Sequence, residues 1–152
     1  MTILLRKVEA KDSRYLFELA NDALTRSNSF NTKEITWEEH QIWLGAKLND
    51  AKSFLYIFSD EDINIGTVKI ERKETETIIG VTVDSTFRGK GLGSILIKMA
   101  CSEFWKQNKD DIKAYIKKTN TGSVRTFEKA GFSSFGELRI NDEDCIILNA
   151  LR

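Results

Sequence analysis

Apolar and polar positions in this 152-residue chain repeat with two periods, and the switches between the periods lay out its elements. Residues 2–8 alternate as a half-buried strand does. Leu16, Leu19, Ala20 and Ala23 fall on one face of a helix that Asp12 or Ser13 can cap and that ends near residue 22. Residues 24–35 are polar without a period and are expected to be irregular. Thr36, with Glu39 three positions on, makes a capping-box start for a second helix reaching about residue 48. Three strands are predicted next: an apolar run at 53–59, an alternating run at 63–71 after the Asp60-Glu61-Asp62 turn, and a third ending near 84. A helical pattern then runs from 92 to about 106, and a short apolar strand covers 112–116. A helix capped by Asn120 follows, and 133–140 with 145–151 form a closing hairpin around residues 141–144. The order β-α-α-β-β-β-α-β-α-β-β predicts a single α/β (α+β) domain over residues 1–152. Its sheet is expected to be mixed and mainly antiparallel, with helices on both faces.

Composition narrows the partners. The length suits one domain with a full core. The 23 Lys and Arg residues balance the 23 Asp and Glu residues, so nothing marks a surface for nucleic acid or membrane. No apolar run approaches the ~18 residues of a membrane span, and the N-terminus lacks a signal-peptide layout. Cys101 and Cys145 stand apart and are expected as reduced, buried thiols, which points to the cytoplasm. A single histidine and no metal spacing mean that no metal site is expected.

The chemistry begins at Phe87-Arg88-Gly89-Lys90-Gly91-Leu92-Gly93-Ser94, which follows a strand and opens a helix. Glycines let the backbone turn tightly, and a helix N-terminus offers unpaired N–H groups and partial positive charge to an anion. Arg88 and Lys90 add basic groups, so a pyrophosphate is the expected ligand. It is not a P-loop, because Lys90 is followed by Gly91 rather than Ser or Thr. It is not a dinucleotide fingerprint, because the third glycine of Gly89, Gly91 and Gly93 comes one position early. A second block, Asn120-Thr121-Gly122-Ser123-Val124-Arg125-Thr126-Phe127-Glu128-Lys129-Ala130-Gly131-Phe132, reads as a well-capped helix with Ser123, Phe127 and Ala130 on one face.

Together the two blocks resemble the GNAT N-acetyltransferases. Arg88, Gly91 and Gly93 match that family's acetyl-coenzyme A loop: Gln or Arg, two residues, Gly, one residue, then Gly or Ala. The Asn120 block is similar to its later motif. The resemblance implies the GNAT fold, acetyl-CoA as co-substrate and transfer of its acetyl group to a primary amine. It implies that strands four and five splay apart, freeing backbone groups of Val81, Thr82 and Val83 for the pantetheine arm. It also implies coenzyme contacts from residues 88–94 and from Asn120, Ser123 and Phe127, with a Val81 or Val83 N–H polarising the thioester carbonyl.

The family pattern breaks at the proton-transfer groups. Phe127 stands where many members carry a Tyr acid, and Ile78 stands where many carry a Glu base. Three replacements are available in the sequence. Tyr115 is a possible proton donor, Glu76 a possible base, and His40 has an ordinary pKa of about 6.5, suited to proton transfer near neutrality.

The acceptor side should come from the first two helices and their loop. Arg26, Asn28, Ser29, Phe30 and Trp37 supply amides, hydroxyls and flat rings that suit a sugar, and Arg26 a phosphate or carboxylate. The layout of Thr25-Arg26, Ser29-Phe30 and Trp37, His40 and Trp43 resembles the GNAT branch that acetylates nucleotide-linked amino sugars, in particular the 4-amino sugar acetyltransferase of pseudaminic acid biosynthesis. The acceptor implied is a UDP-linked 4-amino sugar, and the assembly admits a homodimer. A protein N-terminal or lysine acetyltransferase and a non-catalytic acetyl-CoA sensor stay open as alternatives.

Overall fold

The computed structural model describes all residues, 1–152. Its seven strands form one sheet in the order β1-β2-β3-β4-β5-β7-β6. They are β1 (Ile3–Lys7), β2 (Ser53–Asp60), β3 (Ile63–Arg72), β4 (Thr77–Val83), β5 (Ile112–Lys117), β6 (Ser133–Ile140) and β7 (Glu143–Ala150). Every neighbouring pair is antiparallel except β4 and β5. The helices are α1 (Ser13–Ala20), α2 (Ala23–Asn28), α3 (Trp37–Leu48), α4 (Leu92–Trp105) and α5 (Thr121–Lys129).

Strand alternation assigns the faces. On β2, Phe54, Tyr56 and Phe58 point into the larger core with Leu96, Ile97, Ala100 and Phe104 of α4. Leu55 and Ile57 point the other way, to Leu16 of α1 and Leu44 of α3. Helices therefore cover both faces, as the element order predicts. The Thr36–Glu39 capping box forms as read, with each side chain bonded to the other's backbone N–H.

Three boundaries differ from expectation. Helix α1 stops at Ala20 rather than near residue 22, and Ala23, read on its apolar face, opens α2 instead. Residues 24–35 are not wholly irregular, because Asp22 caps the short helix α2 by accepting from the Thr25 N–H at 3.2 Å. The closing hairpin turns on Asn141 and Asp142 alone, with φ of 50° and 63°. Glu143 and Asp144 are already in β7, because a two-residue turn with both central residues at positive φ matches the twist of the strands. Cys101 and Cys145 are free and buried. Burial pushes the Cys101 thiol up to about 12, so it stays protonated and unreactive.

The feature that positions the site is the parallel pair. β4 and β5 are in register only at Thr77 with Ile112 and at Ile78 with Lys113. β5 goes on pairing with β7 to Lys117, while β4 goes on pairing with β3 to Val83. From Ile79 onward a V-shaped gap opens between them. Its closed end is pinned by Asp110, which accepts from the Thr77 hydroxyl at 2.6 Å and from Arg72 Nε at 2.8 Å.

Candidate active site

The gap opens into a cleft of about 1230 Å³ that runs from the glycine loop to helices α1–α3. The Asp84 N–H donates to the Ile65 carbonyl at 2.8 Å. Antiparallel alternation then turns the amides of Thr82 and Gly80 toward β3, and those of Val81 and Val83 toward the gap. Thr82 is thus tied into the sheet, whereas the Val81 N–H faces the open side. The Val83 carbonyl accepts from Arg88 Nε at 3.1 Å.

At the mouth of the gap, Gly89 and Gly91 have φ of 77° and 73°, and Gly91 is the N-cap of α4 with no side chain bonded over the helix start. The first N–H groups of α4 are therefore presented to an anion, with the helix dipole behind them. Gly93 serves a different purpose. A Cβ there would lie 2.8 Å from Thr126 Cγ2, so this glycine lets α5 pack against α4. Leu92 lines the cleft, whereas Ser94 is buried with its hydroxyl bonded to the Gly91 carbonyl. Lys90 is exposed outside the cleft wall, with Nζ 5.5 Å from the Phe87 ring centroid. Asn120 and Ser123 line the cleft at the start of α5, where the Asn120 side chain caps the helix through the Ser123 N–H. Phe127 reaches the cleft from the core, 2 % exposed and edge-on to Phe132 at 5.1 Å.

Arg88 departs from the sequence reading. Its guanidinium does not stand free for a phosphate: NH2 meets Asp22 Oδ2 at 2.6 Å and Thr25 Oγ1 at 3.3 Å. The Arg88 bond holds the Asp22 carboxyl below its ordinary range, so the pair is ionic at neutral pH. Arg88 is therefore a brace between the coenzyme loop and α2. An Arg88→Ala or Asp22→Asn variant is expected to raise the acceptor KM about tenfold while leaving acetyl-CoA affinity within about twofold. Steady-state kinetics with calorimetry checks this, and a loss confined to acetyl-CoA affinity contradicts it.

The acceptor residues divide similarly. Arg26, Asn28, Ser29 and Phe30 line the cleft, but Arg26 faces inward. It donates to the carbonyls of Ala20, Asn31 and Lys33 and to Ser29 Oγ, so four of its five N–H groups knot the α2 loop together and one is left for a ligand. Trp37 does not line the cleft. It lies on the first turn of α3, packed edge-on to Phe17 at 5.1 Å with Arg14 over its ring. Two bonds roof the cleft instead: Asn141 Nδ2 donates to the Phe30 carbonyl at 3.3 Å, and Lys117 Nζ to the Ser27 carbonyl at 3.0 Å. Lys117 is buried and also paired with Glu143.

Of the three proton-transfer candidates, the fold brings two together. Tyr115 on β5 donates its hydroxyl to the Glu76 carboxylate just ahead of β4, and both line the cleft. Burial first, then the Glu76 hydrogen bond and charge, push the Tyr115 phenol up to about 12. His40 lines the same cleft from α3 without touching that pair, 3 % exposed between Phe17, Trp37 and Trp43, with no partner for Nε2. Burial lowers its pKa, opposed by the hydrogen bond the ring donates to the Ser13 backbone, so the ring is neutral at pH 7.

A strand whose amides face a splayed neighbour, beside an uncapped helix start held open by left-handed glycines, has the geometry to receive an acyl-coenzyme A. The family comparison agrees, because residues 2–133 match the acetyltransferase (GNAT) domain, and the chain belongs to that family. It is an acetyl-CoA-dependent N-acetyltransferase. YwnH of Bacillus subtilis (strain 168), which carries the provisional description phosphinothricin acetyltransferase, is 26% identical over 142 residues, covering 87% of this chain and 85% of that protein. A mycothiol acetyltransferase of Corynebacterium glutamicum is 27% identical over 100 residues, 64% of this chain but only 34% of that protein. Among solved structures, the spermidine N-acetyltransferase of Vibrio cholerae in complex with CoA and spermine superposes with a TM-score of 0.87 at 21% identity, over 98% of this chain and 95% of that one. The ribosomal-protein-alanine N-acetyltransferase of Brucella melitensis gives 0.84 at 20% identity, over 98% and 99%. At such identities these structures speak for the fold. No three His, Cys, Asp or Glu side chains gather as a metal site.

Proposed function

We propose that this enzyme acetylates the amine of a small molecule, a nucleotide-linked amino sugar, in the cytoplasm. The observation that carries the choice is the roof: the Phe30–Asn141 and Ser27–Lys117 bonds bridge α2 and its loop to the β6–β7 turn and to the end of β5. They narrow the cleft on that side, which favours a small acceptor over the extended chain of a protein substrate. The loop beneath offers the Asn28 amide beside the Phe30 ring, with Thr25 and Ser29 holding the loop in place, a set that suits a sugar hydroxyl and a sugar face. The buried free thiols fit a reducing compartment. A second copy of the chain would add at the free edge of β6, where Phe135 and Leu138 are exposed.

Acetyl-CoA supplies an activated thioester, and the chain supplies the rest. The Val81 N–H is placed to stabilise the developing oxyanion, a contribution of about 3–4 kcal/mol for such a donor. Glu76 accepts the proton of the attacking amine as the C–N bond forms. Tyr115 gives its hydroxyl proton to the departing thiolate as the C–S bond breaks, and recovers one from Glu76 through their hydrogen bond. This pair replaces the acid absent at Phe127, so a silent sensor module is not needed to explain that residue. The test is thiol release from acetyl-CoA with UDP-linked 4-amino sugars, spermidine and N-terminal peptides in parallel. Turnover favouring the amino sugars about 100-fold over peptides is the expected result, and preference for peptides overturns the reading.

A further inference from the structure

The acceptor half of the cleft carries more positive charge than its carboxylates can balance. Glu71 on β3 is 13 % exposed and is met by three lysines: Lys47 in close contact, Lys69 at 3.4 Å and Lys73 at 3.9 Å. Burial pushes the Glu71 carboxyl up, and the three ammonium groups outweigh it, leaving it ionised below its ordinary range. One negative charge against three positive charges leaves an excess of two. Lys47 lies on α3 outside the cleft wall, whereas Lys69 and Lys73 line it and are about half exposed. Lys69 also stands over the Trp43 ring, 5.5 Å from its centroid, and Trp43 lines the same wall.

The position of this excess matters more than its size. Lys69 is the cross-strand partner of Gly80, at the point where β4 leaves β5. The Lys73 N–H donates to the Glu76 carbonyl at 2.7 Å across the β3–β4 turn, so Lys73 sits directly opposite the base. Glu76 itself has one cation nearby, Lys113 at 3.9 Å. The cleft thus holds a carboxylate and phenol for an amine and, one strand away, two unbalanced ammonium groups beside an indole.

We propose that Lys69 and Lys73 form an anion subsite, so that the acceptor is an amine that also carries a phosphate or carboxylate. The proposal rests on the amine-acetylating reading above and deepens it. A polycation is disfavoured at the same site by the charges that attract the anion. An ammonium point charge suits this use, because Lys69 and Lys73 can swing to a ligand while Lys47 keeps Glu71 paired. For the same reason, removing both lysines leaves no orphaned carboxylate in the wall.

The experiment compares acceptors that differ only by the anion: ethanolamine with O-phosphoethanolamine and glucosamine with glucosamine 6-phosphate, together with spermidine. Each is assayed by thiol release with the wild-type chain and with Lys69→Gln/Lys73→Gln. The wild type is expected to favour the phosphorylated member of each pair about tenfold or more in kcat/KM at low ionic strength, with the advantage shrinking as salt is raised. The double variant is expected to lose that advantage while the acetyl-CoA KM and the thermal midpoint stay unchanged. Equal use of phosphorylated and plain amines, or preference for spermidine, overturns the subsite and leaves amine acetylation standing. An equal fall on every acceptor in the double variant also overturns it. Tight acetyl-CoA binding with no turnover of any amine overturns both readings.

Discussion

Gly91→Glu is expected to weaken acetyl-CoA binding about 100-fold or more, some 2.8 kcal/mol, while the protein remains folded. Two separate effects combine. Gly91 sits at φ 73°, where a side chain costs about 1–2 kcal/mol. A carboxylate at the N-cap also takes for itself the N–H groups and dipole that the pyrophosphate would meet. Space is not the cause, because a Cβ at Gly91 meets nothing within 4 Å. Gly91→Ala therefore separates the two contributions: it retains the backbone strain without the charge, and its loss of affinity should be much the smaller. Calorimetric titration with acetyl-CoA measures both. Unchanged affinity in Gly91→Glu removes the loop from the coenzyme site.

The second large effect belongs to the proton pair. Tyr115→Phe and Glu76→Gln are each expected to lower kcat by about 10² or more with the acetyl-CoA KM unchanged, within the range for general acid–base groups. The double variant should fall little further, because the two side chains act through one hydrogen bond. The direction of the Tyr115 shift sets the pH behaviour. With its pKa raised to about 12, the phenol keeps its proton well above the ordinary value near 10. An alkaline fall in kcat due to Tyr115 should therefore appear only beyond pH 10, and Tyr115→Phe should remove it. If His40→Ala rather than Tyr115→Phe reshapes the pH–rate profile, the proton path runs through His40 instead.

How much of this was visible in the chain depends on the range of the interaction. The capping box at Thr36 and Glu39, the glycine loop and the apolar run that becomes β2 are local, and each formed as the residues indicate. Helix α2 was hidden because six residues with one large apolar side chain carry no period, although the Asp22 cap was a signal for it. Trp37 shares a helical stripe with His40 and Trp43, but periodicity cannot say how far along a helix a cleft extends, and its first turn lies past the wall. The long-range pairs were beyond reach. Arg88 finds Asp22 across 66 positions and Tyr115 finds Glu76 across 39, and both depend on the angle at which β4 and β5 diverge. A lone arginine after a strand suggests a phosphate ligand, and only the fold shows the carboxylate that already holds it.

The Arg88 brace also limits how acceptor preference can be rewritten in this chain. The side chains of Asn28 and Phe30 line the cleft and hold no bond within the loop, so they can change and alter only the pocket lining. Asp22 and Thr25 are held more tightly, because each is bonded to Arg88 and their loss displaces the whole acceptor loop. Evolution or engineering toward a new amine is therefore channelled into the distal part of that segment, with its first turn held constant by the anchor it provides for the rest of the loop.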